Sequence, residues 1–289
     1  MIEEKLVCLE MDDASGRDKR NGRRTRLEDW IYYRDFLKSI GAFVTIAIEP
    51  QKASEDVMKF LASNPEQFFP SVHGTVKYGH YGGYKTEEQV KEMWEWTVKE
   101  IQKFGFDIGM DGNGLLIPPM HMISDTAIGV LNQYGVKVIG SGVNNFPLGS
   151  KDVRNSKGEQ VYILERNVEA YTPYKGITFY KRFRPWIMSA DMQTKQQVIE
   201  SIEKIKGTSK RAQLIDGSYE TYLELCMKDF REKCYGNDCT FYAHEINLSG
   251  GRPFMHVLEK IVNEGILANV RFTNPVEFTM HYSKSLTKP

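Results

Sequence analysis

Short apolar runs alternate along the chain with segments whose apolar residues recur at helical spacing. The strands that this pattern predicts lie at 6–12, 42–48, 67–72, 115–119, 136–139, 177–186, 240–244 and 270–275. The pattern predicts helices at 27–40, 54–62, 86–104, 124–134, 195–206, 218–233 and 254–263. Strands and helices that alternate through short links indicate a parallel sheet. The length and the number of strands favour an irregular (β/α) barrel of about seven parallel strands over an open sheet.

The whole chain, residues 1–289, is predicted to form one domain. A chain of 289 residues with 41% hydrophobic content can bury a single large core. The sequence contains neither an internal repeat nor a stretch typical of an interdomain linker. His281 is predicted to lie in a polar tail.

The first apolar run ends in two adjacent carboxylates, Asp12 and Asp13. A buried strand has no structural use for two acids in a row, because unpaired charge is costly to bury. The carboxyl ends of parallel strands, however, are where α/β proteins place their chemistry. Since side chains alternate along a strand, one carboxylate could hold a metal while the other faces a substrate. The alternative is a solvated turn, because Asp-Asp before Ala-Ser-Gly caps a following segment well.

Two histidines follow later strands in the same way. His73 comes directly after the third run, and His244 closes the run at 240–244. In a parallel barrel these strand ends open on one face, together with the acid pair. One carboxylate and two imidazoles with open positions suit zinc, or another divalent ion that activates water.

A basic segment leaves the same strand end as the acid pair. It runs from Gly16 to Arg26 and contains Arg23 and Arg24. Because arginine favours bidentate contacts with anions, these residues could bind a phosphate or carboxylate of the substrate. The alternative is a solvated surface loop, which is the usual state of a run of charges.

Charge and composition exclude several classes of protein. Lys plus Arg and Asp plus Glu both count 38, so no overall field favours nucleic acid or an anionic membrane. The chain lacks a run of 18 apolar residues and therefore a predicted transmembrane helix. Its acidic start, Met-Ile-Glu-Glu, is unlike a signal peptide, so a cytoplasmic location is expected. The four cysteines match no common zinc spacing and are expected to be reduced.

The motifs at the strand ends resemble those of the polysaccharide deacetylases, the NodB homology family, over most of the chain. Two further stretches are similar to strands of divergent members: 45–50 and 271–277. The motifs that carry the resemblance are Met11-Asp12-Asp13, Val72-His73-Gly74, Ile117-Pro118-Pro119 and Tyr242-Ala243-His244.

The resemblance implies a fold, an activity and a set of roles. The family fold is an irregular (β/α) barrel of about seven strands. The activity would be metal-dependent hydrolysis of a carbon–nitrogen bond, removing an acyl group from an N-acylated sugar or a related amide as a deacetylase or deformylase does. Asp12 would be the general base and His244 the general acid. Asp13 and His73 would be metal ligands, with zinc as the expected ion.

This chain departs from the family pattern at two positions. The family places its second metal histidine four residues after the first, where this chain has Lys77, and His80 is the nearest substitute. The family also has an arginine before the proline pair, where this chain has Ile117. Arg182 or Arg184 could supply that guanidinium from another strand, and both join Arg23, Arg24, Pro118 and Pro119 as predicted substrate-binding residues.

Two alternatives remain open from the sequence. One is a catalytically impaired relative of the same fold that only binds carbohydrate. The other is a barrel glycoside hydrolase that uses Asp12 and Glu245 as its acid–base pair. The sugar, the acyl group and the oligomeric state stay open as well.

Overall fold

The structure is a computed structural model of the chain. It describes residues 5–16, 25–51, 53–74, 81, 85–119, 122–142, 162–163, 171–174, 176–182, 220–221, 223–224, 227–228, 231, 239–248, 253–265 and 269–286. The predicted helix at 195–206 lies outside these residues. The described residues between 220 and 231 are helical, in keeping with the predicted helix there.

The main sheet contains seven neighbouring parallel strands, as the alternation of apolar runs predicted. Its order is β10-β1-β2-β3-β4-β6-β9-β8, with β8 antiparallel at the edge and β11 paired in parallel with β1. A separate antiparallel pair joins β5 and β7. The strands are β1 (Lys5–Ala14), β2 (Val44–Ile48), β3 (Phe68–Val72), β4 (Leu115–Leu116), β5 (Met122–Ile123), β6 (Val138–Gly142), β7 (Tyr162–Ile163), β8 (Tyr171–Tyr174), β9 (Ile177–Arg182), β10 (Cys239–His244) and β11 (Val270–Phe272).

Helices pack against this sheet, and all but the last of those with defined bounds lie on its outer face. They are α1 (Leu27–Ser39), α2 (Glu55–Ala62), α3 (Glu87–Lys103), α4 (Asp125–Gln133), α5 (Pro253–Asn263) and α6 (Pro275–Leu286). The longest, α3, begins with a capping box in which Thr86 and Gln89 bond each other's backbone amides. Its buried face includes Trp94 and Val98, which belong to the main hydrophobic core. Among the helices that the structure describes, none is long and apolar enough to cross a membrane.

The sheet curls so that β9 faces β1 across the interior. Arg182 of β9 bonds the side chains of Glu10 and Asp12 of β1, although four strands lie between β1 and β9 in the sheet order. Such contacts require a curved, barrel-like sheet, since a flat sheet would keep these strands far apart. The fold thus matches the predicted irregular barrel of parallel strands.

The last helix corrects the prediction of a polar tail. In place of a tail, α6 packs its buried Phe278 against Leu6 and Cys8 near the start of β1. Its Val276 joins a second interior cluster that includes Leu115 at the start of β4. The helix therefore lies against the amino-terminal part of the barrel interior, away from the strand ends that carry the charged residues.

Candidate active site

A bulge at the end of β1 separates the two adjacent acids. The pairing of β1 with β2 shifts register between Met11 and Ala14, and Asp13 has a φ of 62°. Aspartate tolerates this left-handed conformation better than most residues, and a bulge re-aims the side chain that it carries. Asp12 consequently stays buried, with 3% of its surface exposed, whereas the Asp13 side chain is 47% exposed at the mouth of the barrel.

Asp12 is held by a buried guanidinium. The Nη1 and Nη2 atoms of Arg182 donate to the two carboxylate oxygens of Asp12, at 3.1 and 2.5 Å. Burial alone would raise the pKa of Asp12, but the charges of Arg182, His73 and His244 lower it below its usual value. Asp12 is therefore a carboxylate at neutral pH, able to accept a proton.

The sequence offered Arg182 as a substrate contact or as a substitute for the arginine replaced by Ile117. The structure places the Arg182 side chain in the interior, fully buried, on the carboxylate of Asp12. Ile117 is itself buried, in an apolar cluster with Ala47 and Val138. The guanidinium that meets Asp12 thus comes from β9.

His73 and Asp13 form a pair whose geometry fixes the histidine tautomer. The Nδ1 atom of His73 lies 2.7 Å from the carbonyl oxygen of Ile117, so Nδ1 carries the proton and donates it. The other ring nitrogen, Nε2, faces the Asp13 carboxylate at 3.2 Å. Burial lowers the pKa of His73, but the hydrogen bond and charge of Asp13, together with Asp12 and Glu49, raise it overall.

His244 completes the group of charged residues at the strand ends. It lies directly opposite Asp12 in the pairing of β1 with β10, and its side chain is 20% exposed. Its Nε2 atom lies 4.0 Å from Asp13, on the carboxylate oxygen that does not face His73. Asp12, Asp13, His73 and His244 are therefore gathered at one end of the barrel.

Glu245 has a structural position that the sequence did not reveal. It is buried, and its carboxylate accepts hydrogen bonds from the backbone amides of Ser15 and Gly16, the Ser15 hydroxyl and Nε1 of Trp30. Burial raises the pKa of Glu245 to about 8, although these hydrogen bonds act in the opposite direction. Both oxygens are thus engaged with the segment that leaves β1, an arrangement unlike that of a glycosidase acid–base pair facing a sugar.

Three further interior residues were missed by sequence reasoning. Glu10, Tyr180 and Tyr242 surround the guanidinium of Arg182. The available signal was position: Glu10 precedes Asp12 by two residues, and Tyr180 precedes Arg182 by two, so each pair shares one face of its strand. A charged residue within the apolar run of β1 was itself informative, because an unpaired charge is rarely buried.

The remaining predicted site residues fall into two groups. Pro118 is buried and Pro119 partly so, and a side chain at Gly74 would lie 2.9 Å from Pro119. The proline pair therefore packs beside the backbone that follows His73. The other predicted residues, His80, Arg23, Arg24 and Arg184, lie outside the described residues.

The side chains at this end of the barrel are of the types that bind a divalent ion, but too few of the described ones lie close together. Carboxylate and imidazole are common zinc ligands, and His73 already bonds through Nδ1, which leaves Nε2 to bind a metal when deprotonated. Within the described ranges, however, no group of three His, Cys, Asp or Glu side chains is close enough to hold a metal ion. Asp13 and His73 thus offer two donors, one fewer than the three protein ligands of a typical catalytic zinc site.

Comparisons with known proteins place the fold. No family model matches the sequence, and no curated protein matches it either. The structure is similar to a Mycobacterium smegmatis protein described as a polysaccharide deacetylase, with a TM-score of 0.56, 10% identity and coverage of 100% of this chain and 93% of the other. It is also similar to a family 4 acetyl xylan esterase from Clostridium thermocellum in complex with a cobalt ion, with a TM-score of 0.51, 12% identity and coverage of 96% and 92%.

A third similar structure is a 4-alpha-glucanotransferase from Thermococcus litoralis, with a TM-score of 0.51 and 11% identity. Here 96% of this chain corresponds to 38% of a longer protein. At these identities the likeness concerns the fold. The chain has the barrel of the polysaccharide deacetylases and family 4 esterases, which confirms the resemblance found in the sequence motifs.

Proposed function

We propose that this protein is a metal-dependent hydrolase that removes an acyl group from an N-acylated sugar or a related amide. The observation that supports this most directly is the arrangement around Asp12. A buried carboxylate, kept charged by Arg182, lies beside the Asp13–His73 pair and opposite His244. The likeness of the fold to a family 4 acetyl xylan esterase agrees with an acyl-transfer reaction on a carbohydrate.

Asp12 serves as the general base in this proposal. Its lowered pKa keeps it ionised, and its carboxylate can take a proton from the attacking water while Arg182 stabilises the charge. The oxygen of that water bonds to the acyl carbon, and the carbon–nitrogen bond then breaks. The products are a carboxylic acid and an amine.

His244 serves as the general acid. It lies across from Asp12 in the sheet and remains partly exposed, so it can reach a substrate that enters the mouth of the barrel. Its imidazole would give a proton to the nitrogen of the leaving amine as the bond breaks. Asp12 and His244 on neighbouring strands thus handle the two proton transfers of the reaction.

Asp13 and His73 would hold the metal, with His80 as the predicted third ligand. A divalent ion at this position would polarise the acyl carbonyl and lower the pKa of water. The cobalt complex of the similar esterase supports a divalent ion of the first transition row. Zinc remains the ion that the donor set leads us to expect. The residues that remain predicted contacts of the substrate are Arg23, Arg24, Arg184, Pro118 and Pro119.

The test is release of acetate or formate from N-acylated mono- and oligosaccharides, measured with metal-loaded protein. Asp12→Asn and His244→Ala should each lower kcat by about 10²- to 10⁴-fold, because each removes one proton transfer. Removing the metal with a chelator should abolish the activity, and adding Zn²⁺ or Co²⁺ should restore it. Asp56→Asn, an exposed change on α2, is the matched control and should leave kcat unchanged.

The two alternatives predict different results. A carbohydrate-binding relative would bind the oligosaccharide in calorimetry but release no acid, even when loaded with metal. A glycoside hydrolase would produce new reducing ends without acid and would depend on Glu245. Either pattern contradicts the proposal.

A further inference from the structure

Beneath Asp12, the interior of the barrel holds a second carboxylate to which the proposed reaction gives no role. Glu10 is fully buried on the same face of β1 as Asp12. In the sheet it is flanked by Thr45 of β2 and Tyr242 of β10. A glutamate in this place is costly unless its charge and hydrogen bonds are compensated.

The compensation comes from β9. One oxygen of Glu10, Oε2, accepts hydrogen bonds from the Tyr180 hydroxyl at 3.0 Å and from Nε of Arg182 at 2.5 Å. The two outer nitrogens of the same guanidinium donate to Asp12. The ring of Tyr242 covers its face, with Cζ 4.1 Å from the ring centroid. All three nitrogens of the guanidinium are thus bonded to β1, and one of its faces lies on the Tyr242 ring.

Each contact restricts a different motion of Arg182. The bidentate contact with Asp12 alone would allow the long side chain to pivot, because both bonds are at its outer end. The bond from Nε to Glu10 fixes the inner end, and the ring of Tyr242 fixes the plane. Gly140 leaves the space for this side chain, since a Cβ there would lie 2.8 Å from Cδ of Arg182.

The charges favour the same arrangement. Two carboxylates share one guanidinium in a buried place. Burial raises the pKa of Glu10 to about 7, whereas the pKa of Asp12 is lowered. What Glu10 supplies to Arg182 is an acceptor on the same oxygen that the Tyr180 hydroxyl bonds.

We propose that Glu10 is a positioning residue: with Tyr180 it holds Arg182 in the one orientation from which the guanidinium bonds both oxygens of Asp12. The effect of Glu10 on catalysis rests on the proposed function, whereas the effect of Glu10 on the orientation of Arg182 is independent of it. The arginine that holds Asp12 comes from β9, which is distant from β1 in the sequence. Its long side chain therefore needs a second contact on β1, and Glu10 provides it.

The experiment compares two variants of Glu10 by two measurements. Glu10→Gln keeps an acceptor oxygen, and Glu10→Met has a similar length without one. The Nε–H group of Arg182, assigned by its loss in Arg182→Lys, is followed by ¹H–¹⁵N correlation and solvent exchange. We expect slow exchange in the wild type and in Glu10→Gln, and fast exchange or loss of the signal in Glu10→Met.

Kinetics supply the second measurement. Glu10→Met should lower kcat roughly 10- to 100-fold with KM unchanged, because Asp12 is misplaced while the substrate site is intact. Glu10→Gln should restore most of that loss. Thr45→Val, a buried polar residue next to Glu10 whose hydroxyl makes no hydrogen bond among the described residues, is the control. It should match the wild type in both measurements.

Several outcomes would overturn the proposal. Slow exchange and full kcat in Glu10→Met would do so, as would equal losses in Glu10→Gln and Glu10→Met. If Glu10→Met does not fold, the wild type still tests the proposal: fast solvent exchange of the Arg182 Nε–H group in the wild type would contradict it. A wild type that releases no acid from any N-acyl substrate, but shows the expected exchange pattern, contradicts the proposed function and leaves the positioning role standing.

Discussion

Two buried glutamates lie near the site, and their carboxylates have different partners. Glu10 accepts from side chains of β9, whereas Glu245 accepts mainly from the start of the loop after β1. In both residues burial raises the pKa, to about 7 in Glu10 and about 8 in Glu245. Each therefore affects stability within an accessible range of pH.

The pH dependence of the unfolding free energy should reveal the raised pKa of Glu245. In the unfolded chain this group has its ordinary pKa of 4.5, and in the folded protein a pKa of about 8. Between these values the folded state keeps a proton that the unfolded state has released, so raising the pH favours unfolding. The contribution of Glu245 should fall by at most about 1.4 kcal/mol for each pH unit from 4.5 to 8.

Urea unfolding at several pH values measures this contribution. Glu245→Gln should be less stable by about 1–3 kcal/mol at low pH, because an amide nitrogen cannot accept a hydrogen bond, whereas both oxygens of the protonated carboxyl group can. Its free energy of unfolding should also fall less steeply with pH than that of the wild type. Glu66→Gln, at an exposed position before β3, should keep the wild-type slope. Parallel slopes in wild type and Glu245→Gln would refute the raised pKa.

At the scale of elements, the site depends on how closely β6 and β9 approach each other. Gly140 of β6 pairs with Tyr180 of β9, and a Cβ at Gly140 would lie 2.9 Å from the Tyr180 hydroxyl and 2.8 Å from Cδ of Arg182. Contacts this short are not found for real Cβ atoms. β9 can thus direct both Tyr180 and Arg182 inward only because residue 140 of the neighbouring β6 has no side chain.

Gly140→Ala should therefore damage the site more than the fold. We expect a loss of about 1–3 kcal/mol in stability from overpacking, and at least a tenfold fall in kcat as Arg182 is displaced from Asp12. Gly129→Ala in α4 is the matched control, since nothing lies within 4 Å of the added Cβ. It should be neutral or slightly stabilising, because alanine favours a helix over glycine. Thermal melts and acid-release kinetics on both variants test this.

The sequence predicted the parallel strands of the main sheet and most helices because their signals are local, whereas the short antiparallel strands β5, β7 and β8 were not predicted. The apolar run of β1 and the acids that end it are neighbours in the chain, and Thr86 with Gln89 marks the start of α3. The strand ends of parallel strands meet by geometry alone, so His73 and His244 could be grouped with Asp13 in advance.

Other features could not be predicted because they depend on contacts between distant parts of the chain. Glu10 and Glu245 acquire partners only when β9 and the loop after β1 are in place. The left-handed conformation of Asp13 depends on the pairing of β1 with β2. By contrast, α6 had a local signal that was misinterpreted: Asn274 caps the amide of Glu277, and Pro275 occupies the first helical position.

At the scale of the whole molecule, α6 stabilises the barrel from the side away from the site. Phe278 is buried against Leu6 and Cys8, so Phe278→Ala should cost about 3–5 kcal/mol in unfolding free energy. KM and kcat should be unchanged at temperatures where the variant is folded. Met280→Ala, on the same helix with half of its surface exposed, should change stability by no more than about 0.5 kcal/mol. Equal melting temperatures for the two variants would contradict this role of α6.

The hydrogen bonds between Glu245 and the segment after β1 have a consequence for folding during synthesis on the ribosome. Ser15 and Glu245 are 230 positions apart, yet they bond directly. A ribosome that adds about 5–20 residues per second needs roughly 10–50 seconds to make that interval. For almost all of this time β1 lacks β10 and β11, two of the three strands that pair with it among the described residues. For most of this interval β1 therefore has only β2 to pair with, and His244 joins Asp12 at the strand ends only once β10 has been made.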